Sequence, residues 1–466
     1  MKKKIMSLLA FIIFGMAPLF AFGLYRVDKL STQVAQAAVS YSTDQLMVEK
    51  KGDVYIANGE HIGEKIMEGG KPIAEGTLNQ SLGCVLEAGN PTTNANGVSE
   101  TLMGRTLMYS MGTSRKEKGS SFDGYDTYLT LNGTYQTAIY NMLKNTEGQA
   151  VLVNYQTGEI LASVSVGKDV SLADAFTADT YIYDENGRVV YDEKTANSVT
   201  RLEIYPGSTI KPILAAALLE LGEEDIYSFE FDCNAGNQTI AEECVMQCIG
   251  GCAHGKLTLP AALNQSCNKF IPAYVYTNEN MHEELVVKLT DWGMEGDNTM
   301  CPINQTESRL CDLEEKESGR LMYIGQGDCK MTLLTLVTPY MALANEGVLV
   351  EPHYIRGYSE IGDAENVQAV EVDKHTMMSA QTANDITTIL KNTVCKGTGR
   401  AIGQEVDTYF YLAVKTGTAD YADGETHKLC ISYSGNEAYP YVLAVDVPKN
   451  QAQATNITRQ VWEMLK

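Results

Sequence analysis

The stretch YPGSTIKPILAAALLEL, residues 205–221, places a lysine at the head of an apolar run. The run predicts a mostly buried helix over 208–221, yet lysine is among the residues least often buried. Pro206 and Gly207 break the chain just before it, so Ser208 falls at or near the helix N-terminus. Free backbone N–H groups and the helix dipole favour developing negative charge there. Lys211 sits one turn on, on the same face as Ser208. A desolvated lysine has a lowered pKa and can take a hydroxyl proton, which makes Ser208 and Lys211 a candidate nucleophile and base. The SxxK spacing alone arises by chance about once or twice in a chain this long. Ser165 and Lys168 also match it, at a strand end with no helix to follow.

Two later elements supply what that pair lacks. LNQSCNKF, residues 263–270, carries Ser266 and Asn268, a hydroxyl and an amide two residues apart. LAVKTGTAD, residues 412–420, ends a β-run with Lys415, Thr416, Gly417 and Thr418. A lysine there can hold an anionic group, and Gly417 removes a side chain where a peptide can pair along the strand. Thr418 adds a hydroxyl and a backbone N–H. A second SxN, Ser434 and Asn436, lies in a predicted turn. The three elements carry weight because they occur in the order SxxK, SxN, KTG, each in a fitting local context.

The chain has 466 residues, long enough for two or three domains. Its formal charge of −23 argues against a nucleic-acid partner. MKKK precedes residues 5–25, which carry no charge and are long enough to span a bilayer as a helix. The lysines place residues 1–4 in the cytoplasm. A cleavable signal is the rival reading, but its apolar part is normally about 7–15 residues. Residues 26–47 suit a juxtamembrane linker, and 48–125, rich in Gly, Asn, Thr and Ser, a small β-containing pedestal. Residues 126–466 alternate strands, helices and strands again. The turn at Gln156-Thr157-Gly158 joins two early strands. Strands at both ends with helices between predict an α+β unit whose sheet unites the two ends.

On the SxxK, SxN and KTG elements, the chain resembles the class B (monofunctional) penicillin-binding proteins, which are membrane-anchored peptidoglycan D,D-transpeptidases. Other stretches agree: KKGDVYIANGEHI resembles the family's N-terminal box, although Lys51 stands where arginine is usual. YLTLNGTYQ and YQTGEILASVS resemble the start of its transpeptidase domain. YIGQGDCKMTLLTLVTPYMALANEG resembles its GQG region and VCKGTGRAI its GTG segment. The resemblance implies an antiparallel sheet flanked by helices plus an all-helical subdomain. It also implies roles for the site residues. Ser208 attacks the D-alanyl-D-alanine carbonyl of a stem peptide, with Lys211 as base. Ser266 relays a proton to the leaving amine, and Asn268 positions Lys211 and the substrate amide. Lys415 sets the electrostatics, and Thr416 and Thr418 meet the substrate carboxylate. The N–H groups of Ser208 and Thr418 form the oxyanion hole. β-Lactams are expected to acylate Ser208, and a glycosyltransferase of the division or elongation machinery is the expected partner. The alternatives are a D,D-carboxypeptidase or β-lactamase, which rarely needs a pedestal, or a non-catalytic β-lactam sensor or scaffold.

The chemistry needs no cofactor, but five of eleven cysteines fall within residues 233–267. Disulfides and reduced, buried thiols are two readings of them. Structural zinc is the third: Cys233, Cys248, His254 and Cys267 make a closed Cys3His set. Some elongation-type relatives are similar in this respect, with a ligand between the Ser and Asn of SxN, where Cys267 stands. Cys244 and Cys252 are substitutes for Cys248 in that set.

Overall fold

The computed structural model describes residues 48–85, 122–166, 182–190 and 197–466, with short interruptions. The expected tail (1–4), membrane helix (5–25) and linker (26–47) lie outside the described residues. Among the described residues, no helix is long and apolar enough to cross a membrane.

A five-stranded antiparallel sheet forms the centre. Its strands are β1 (Gln149–Asn154), β2 (Ile160–Ser165), β3 (Ala413–Asp420), β4 (Thr426–Tyr433) and β5 (Tyr441–Pro448), in the spatial order β3-β4-β5-β1-β2. The early pair meets the late trio through β5 and β1, with Tyr441 opposite Asn154 and Asp446 opposite Gln149. The predicted union of the two ends is therefore what closes the sheet. β1, β2 and β5 are buried almost throughout, because helices cover both faces. Gly158, at φ +78°, makes the β1–β2 turn, and a Cβ there would fall 2.2 Å from the Glu351 carbonyl oxygen.

One face is covered by α1 (Gly133–Leu143) and the C-terminal α7 (Ala454–Leu465), whose Trp462 is fully buried and donates Nε1–H to Ser432 Oγ at 2.9 Å. The other is covered by α2 (Lys211–Glu220), α5 (Leu333–Ala344) and α6 (Ala380–Lys391). Short helices α3 (Leu259–Asn264) and α4 (Phe270–Val275) extend this side. α2 is apolar all round, as a core helix must be.

Of the expected pedestal, 48–125, Val48–Lys50 pairs with Phe122–Asp123 in a small sheet of their own, while Val54–Asn58, His61–Glu68 and Lys71–Pro72 join a six-stranded sheet. Val54–Asn58 runs antiparallel to His61–Glu68 and parallel to Tyr125–Asn132. The latter pairs in turn with Ile355–Glu360. The expected boundary thus coincides with the start of a shared strand. Gln136 on α1 strengthens the joint by donating to the carbonyls of Ser81 and Ser163, both at 2.8 Å.

Candidate active site

Ser208 lies in a 3-10 turn, Gly207–Ile210, that leads directly into α2 at Lys211. The lysine that looked out of place in an apolar helix is almost fully buried and does not reach for the surface. Its Nζ lies 2.8 Å from Ser208 Oγ, 2.6 Å from Asn268 Oδ1 and 3.1 Å from the Ser266 carbonyl oxygen. Burial is the main cause that lowers its pKa from 10.5 to about 8, against an opposing influence of Cys267 and Cys248. Keeping the amine there corresponds to roughly 3 kcal/mol. Buried Ile213, Leu214 and Leu218 on the same helix return about 1.5–3 kcal/mol each, so the helix tolerates the lysine.

The SxN turn connects α3 to α4. Ser266 holds φ +56°, a left-handed conformation that a non-glycine residue keeps only when its surroundings fix it. Lys415 Nζ donates to Ser266 Oγ at 3.0 Å and to the Thr416 carbonyl at 2.8 Å. Lys415 is fully buried, and burial first, then the nearby Lys211, hold its pKa well below 10.5. An anion entering the site favours its charged form.

β3 is the edge strand of the sheet, and its free edge faces the nucleophile turn. Gly207, at φ +54°, packs on the Thr418 peptide: a Cβ would lie 2.5 Å from the Thr418 oxygen and 3.3 Å from its nitrogen. This contact sets the Thr418 N–H beside the turn that carries the Ser208 N–H, as an oxyanion hole requires. Behind it, Gly207 N–H donates to the Gly325 carbonyl at 3.0 Å, and a Cβ on Gly325 would fall 2.3 Å from the Gly207 oxygen. The GQG segment is therefore a backbone support. Gly417 shares the Lys415 face, where a Cβ would approach Thr209 and Pro206.

Thr416 and Thr418 project from the opposite face of β3. Thr416 Oγ1 hydrogen bonds Thr398 Oγ1, and Thr418 Oγ1 accepts from Lys428 Nζ at 3.2 Å. Lysine only donates, so the Thr418 hydroxyl keeps its own proton for an acceptor such as a carboxylate. Neither Thr398 nor Lys428 was foreseen from sequence. The cross-strand register of Thr418 opposite Lys428 is the signal that locates the second. The two decoys have structural employment. Ser165 Oγ accepts from Ser198 N–H at 2.9 Å, and Ser434 Oγ accepts from Asn436 N–H at 3.0 Å in a turn.

The cysteine-rich insertion forms two small antiparallel strand pairs, Phe231–Cys233 with Gly255–Leu257, and Gln238–Ala241 with Cys244–Met246. It brings Cys233, Cys248, His254 and Cys267 together, with their ligand atoms within 4.8 Å of one another. The Sγ–Sγ separations Cys233–Cys248 and Cys248–Cys267 are 3.7 and 3.8 Å. His254 Nδ1 is 3.4 and 3.6 Å from the sulfurs of Cys233 and Cys248. A zinc tetrahedron has S–S edges of about 3.8 Å and S–N edges of about 3.5 Å, so the donor set fits the ion. The distances exceed a disulfide bond, and the described cysteines are all free. Cys244 is not among the four ligands. Cys252 is exposed and touches the outer nitrogen of His254, Nε2, at 3.5 Å. The Cys267 thiol first, and the Asn268 N–H after it, lower the Cys248 pKa, while the same contact and burial raise that of Cys267.

The family model for the penicillin-binding protein transpeptidase domain matches residues 148–463. The chain belongs to this family. Penicillin-binding protein 3 of Bacillus subtilis is 28% identical over 315 residues, 64% of this chain and 43% of that protein. Peptidoglycan D,D-transpeptidase MrdA of Escherichia coli K12 is 25% identical over 258 residues, 51% of this chain and 39% of that protein. The chain thus covers less than half the length of each of these relatives. The fold is that of the D,D-transpeptidase domain of a peptidoglycan glycosyltransferase from Eggerthella lenta, with a TM-score of 0.68 and 21% identity over 89% of this chain and 98% of that one. It is also that of penicillin-binding protein A from M. tuberculosis in an imipenem acyl-enzyme complex, with a TM-score of 0.67 and 18% identity over 90% and 100% of the two chains.

Proposed function

We propose that the protein is a peptidoglycan D,D-transpeptidase that works through a serine acyl-enzyme. The observation that carries this reading is the position of Lys211 Nζ, 2.8 Å from Ser208 Oγ and 2.6 Å from Asn268 Oδ1. That is within reach for proton transfer, and a base whose pKa lies near 8 is partly neutral at physiological pH. Ser208 Oγ attacks the carbonyl between two terminal D-alanines while Lys211 takes its proton. The N–H groups of Ser208 and Thr418 stabilise the oxyanion. Ser266, held by Lys415, passes a proton to the leaving amine. The acyl group then moves to the amine of a neighbouring stem peptide. β-Lactams that mimic the D-Ala-D-Ala end are trapped at Ser208.

The uncharged residues 5–25 support a single membrane anchor with the catalytic domain outside the cytoplasm, and a peptidoglycan glycosyltransferase is the fitting partner. Cys233, Cys248, His254 and Cys267 would hold a structural zinc, which cross-links the cysteine-rich insertion to the SxN turn through Cys267. The full chain, incubated with a D-Ala-D-Ala donor peptide and an amine acceptor, is expected to release D-alanine and form the cross-linked product. Release of D-alanine with water as the sole acceptor would make the protein a carboxypeptidase instead.

A further inference from the structure

Lys269 immediately follows Asn268 and is wholly buried. Its Nζ donates to two main-chain carbonyls of the cysteine-rich insertion, Asn234 at 2.7 Å and Gly236 at 2.9 Å. Enclosing an ammonium costs several kcal/mol unless aimed oxygen atoms replace water. The loop provides them: Gly236 adopts φ +68°, and its N–H is tied to the Gly251 carbonyl at 2.9 Å. The interaction serves both sides, because without the lysine these two carbonyls would lose their donor.

Three consecutive residues of the SxN turn each grip a different point of the insertion. Cys267 Sγ meets Cys248 Sγ at 3.8 Å, Asn268 Nδ2 donates to the Gln247 carbonyl at 2.9 Å, and Lys269 holds Asn234 and Gly236. The middle grip matters for chemistry. An amide has one oxygen and one NH2 group, so the Gln247 carbonyl on Nδ2 dictates that Oδ1 faces Lys211. That orientation survives only while the insertion stays in place against the turn.

We propose that Lys269 is a positioning residue of the acyl-transfer site. It clamps the insertion to the start of α4, and so keeps the Gln247 carbonyl on Asn268 and Asn268 on Lys211. The clamp acts independently of the thiol and imidazole cluster, since none of its partners is one of those four residues. Lys269 therefore acts on the reaction only through Asn268.

The proposal rests on the acyl-enzyme reading, which the unaltered chain tests by itself when it is labelled with fluorescent penicillin. The decisive experiment is a double-mutant cycle in the full-length, detergent-solubilised chain with Lys269→Met, Asn268→Ala and both together. Acylation is followed against penicillin concentration, which separates pre-covalent binding from the acylation step. In the wild-type background Lys269→Met is expected to slow the acylation step at least tenfold and change pre-covalent binding less than twofold. In the Asn268→Ala background the same change is expected to cost less than twofold, with metal content per chain the same in all four proteins. An equal loss in both backgrounds, an unchanged rate, or loss of metal together with the lysine would overturn the proposal. If Lys269→Met does not fold, Lys269→Gln, which keeps a donor, takes its place in the same cycle. A wild-type chain that takes no label would remove the parent reading and this one with it.

Discussion

At the scale of single residues, the site depends on one amine kept away from water. Lys211 has its pKa lowered to about 8 because burial penalises the ammonium form. The base is the neutral amine, so its active fraction grows as pH rises through that value. The acylation rate constant is therefore expected to climb between about pH 7 and 9 and level off above, measured by stopped-flow with a chromogenic β-lactam. A rate that falls over the same range would remove Lys211 as the base. Lys211→Arg is expected to abolish acylation, since a guanidinium does not give up its proton. Ser208 and Lys211 were legible because their spacing and the preceding Pro-Gly are written in one short stretch. Lys269 was not, although it adjoins Asn268: nothing local tells a lysine at a helix start that its ammonium will be enclosed. Its two partners lie 33 and 35 residues away in a loop without periodic pattern.

At the scale of elements, the site is an arrangement of backbones in close approach. The nucleophile turn lies between β3 and the GQG segment, with Gly207 touching Thr418 on one side and Gly325 on the other. Gly207→Ala would force a methyl group into the Thr418 carbonyl and strain φ +54°. Misplacement of about 1 Å can cost 100-fold in rate, and a loss of roughly that size in the acylation rate constant is expected, measured with fluorescent penicillin. An alanine variant that keeps the wild-type rate would show that the close packing is not needed. The GTG segment has a similar use. A Cβ on Gly397 would fall 2.5 Å from the Asn264 carbonyl at the end of α3, and Thr398 engages Thr416 on β3. The order of the motifs in the sequence pointed to the candidate site but not to these contacts, which arise only when distant glycines meet the rest of the chain. The cysteine-rich insertion belongs to this scale too. If Cys233, Cys248, His254 and Cys267 hold zinc, the full chain purified without chelator contains about one equivalent, and removal lowers its melting temperature. Cys248→Ser is expected to lose both the metal and that chelator sensitivity. Metal retained in this variant would reject the four-ligand assignment.

At the scale of the whole molecule, the groups of the candidate site come from distant stretches, Lys415 lying 149 residues from the Ser266 it contacts, and the five-stranded sheet positions the strand that carries it. β1 and β2 come from the start of the matched region and β3, β4 and β5 from its end, so the edge strand carrying Lys415 is positioned by pairing that spans most of the chain. The turn at Gln156-Thr157-Gly158 between alternating runs made the first two of these strands readable. The sharing of a second sheet by Val54–Asn58 and Ile355–Glu360 was not readable, because each pairs with Tyr125–Asn132 and pairing between strands distant in the chain leaves no periodic mark. Trp462 on α7 closes the face away from the nucleophile and is fully buried. Trp462→Ala is expected to cost about 3–5 kcal/mol of stability, read as a lower denaturant midpoint, with acylation of the still-folded fraction unchanged. The central claim is that Ser208 is the nucleophile of an acyl-transfer site. Its most direct test is peptide-mapping mass spectrometry of the full chain after reaction with a penicillin. One adduct on the peptide containing Ser208, absent from Ser208→Ala, is the predicted result; an adduct on another residue, or one that persists in Ser208→Ala, would contradict it.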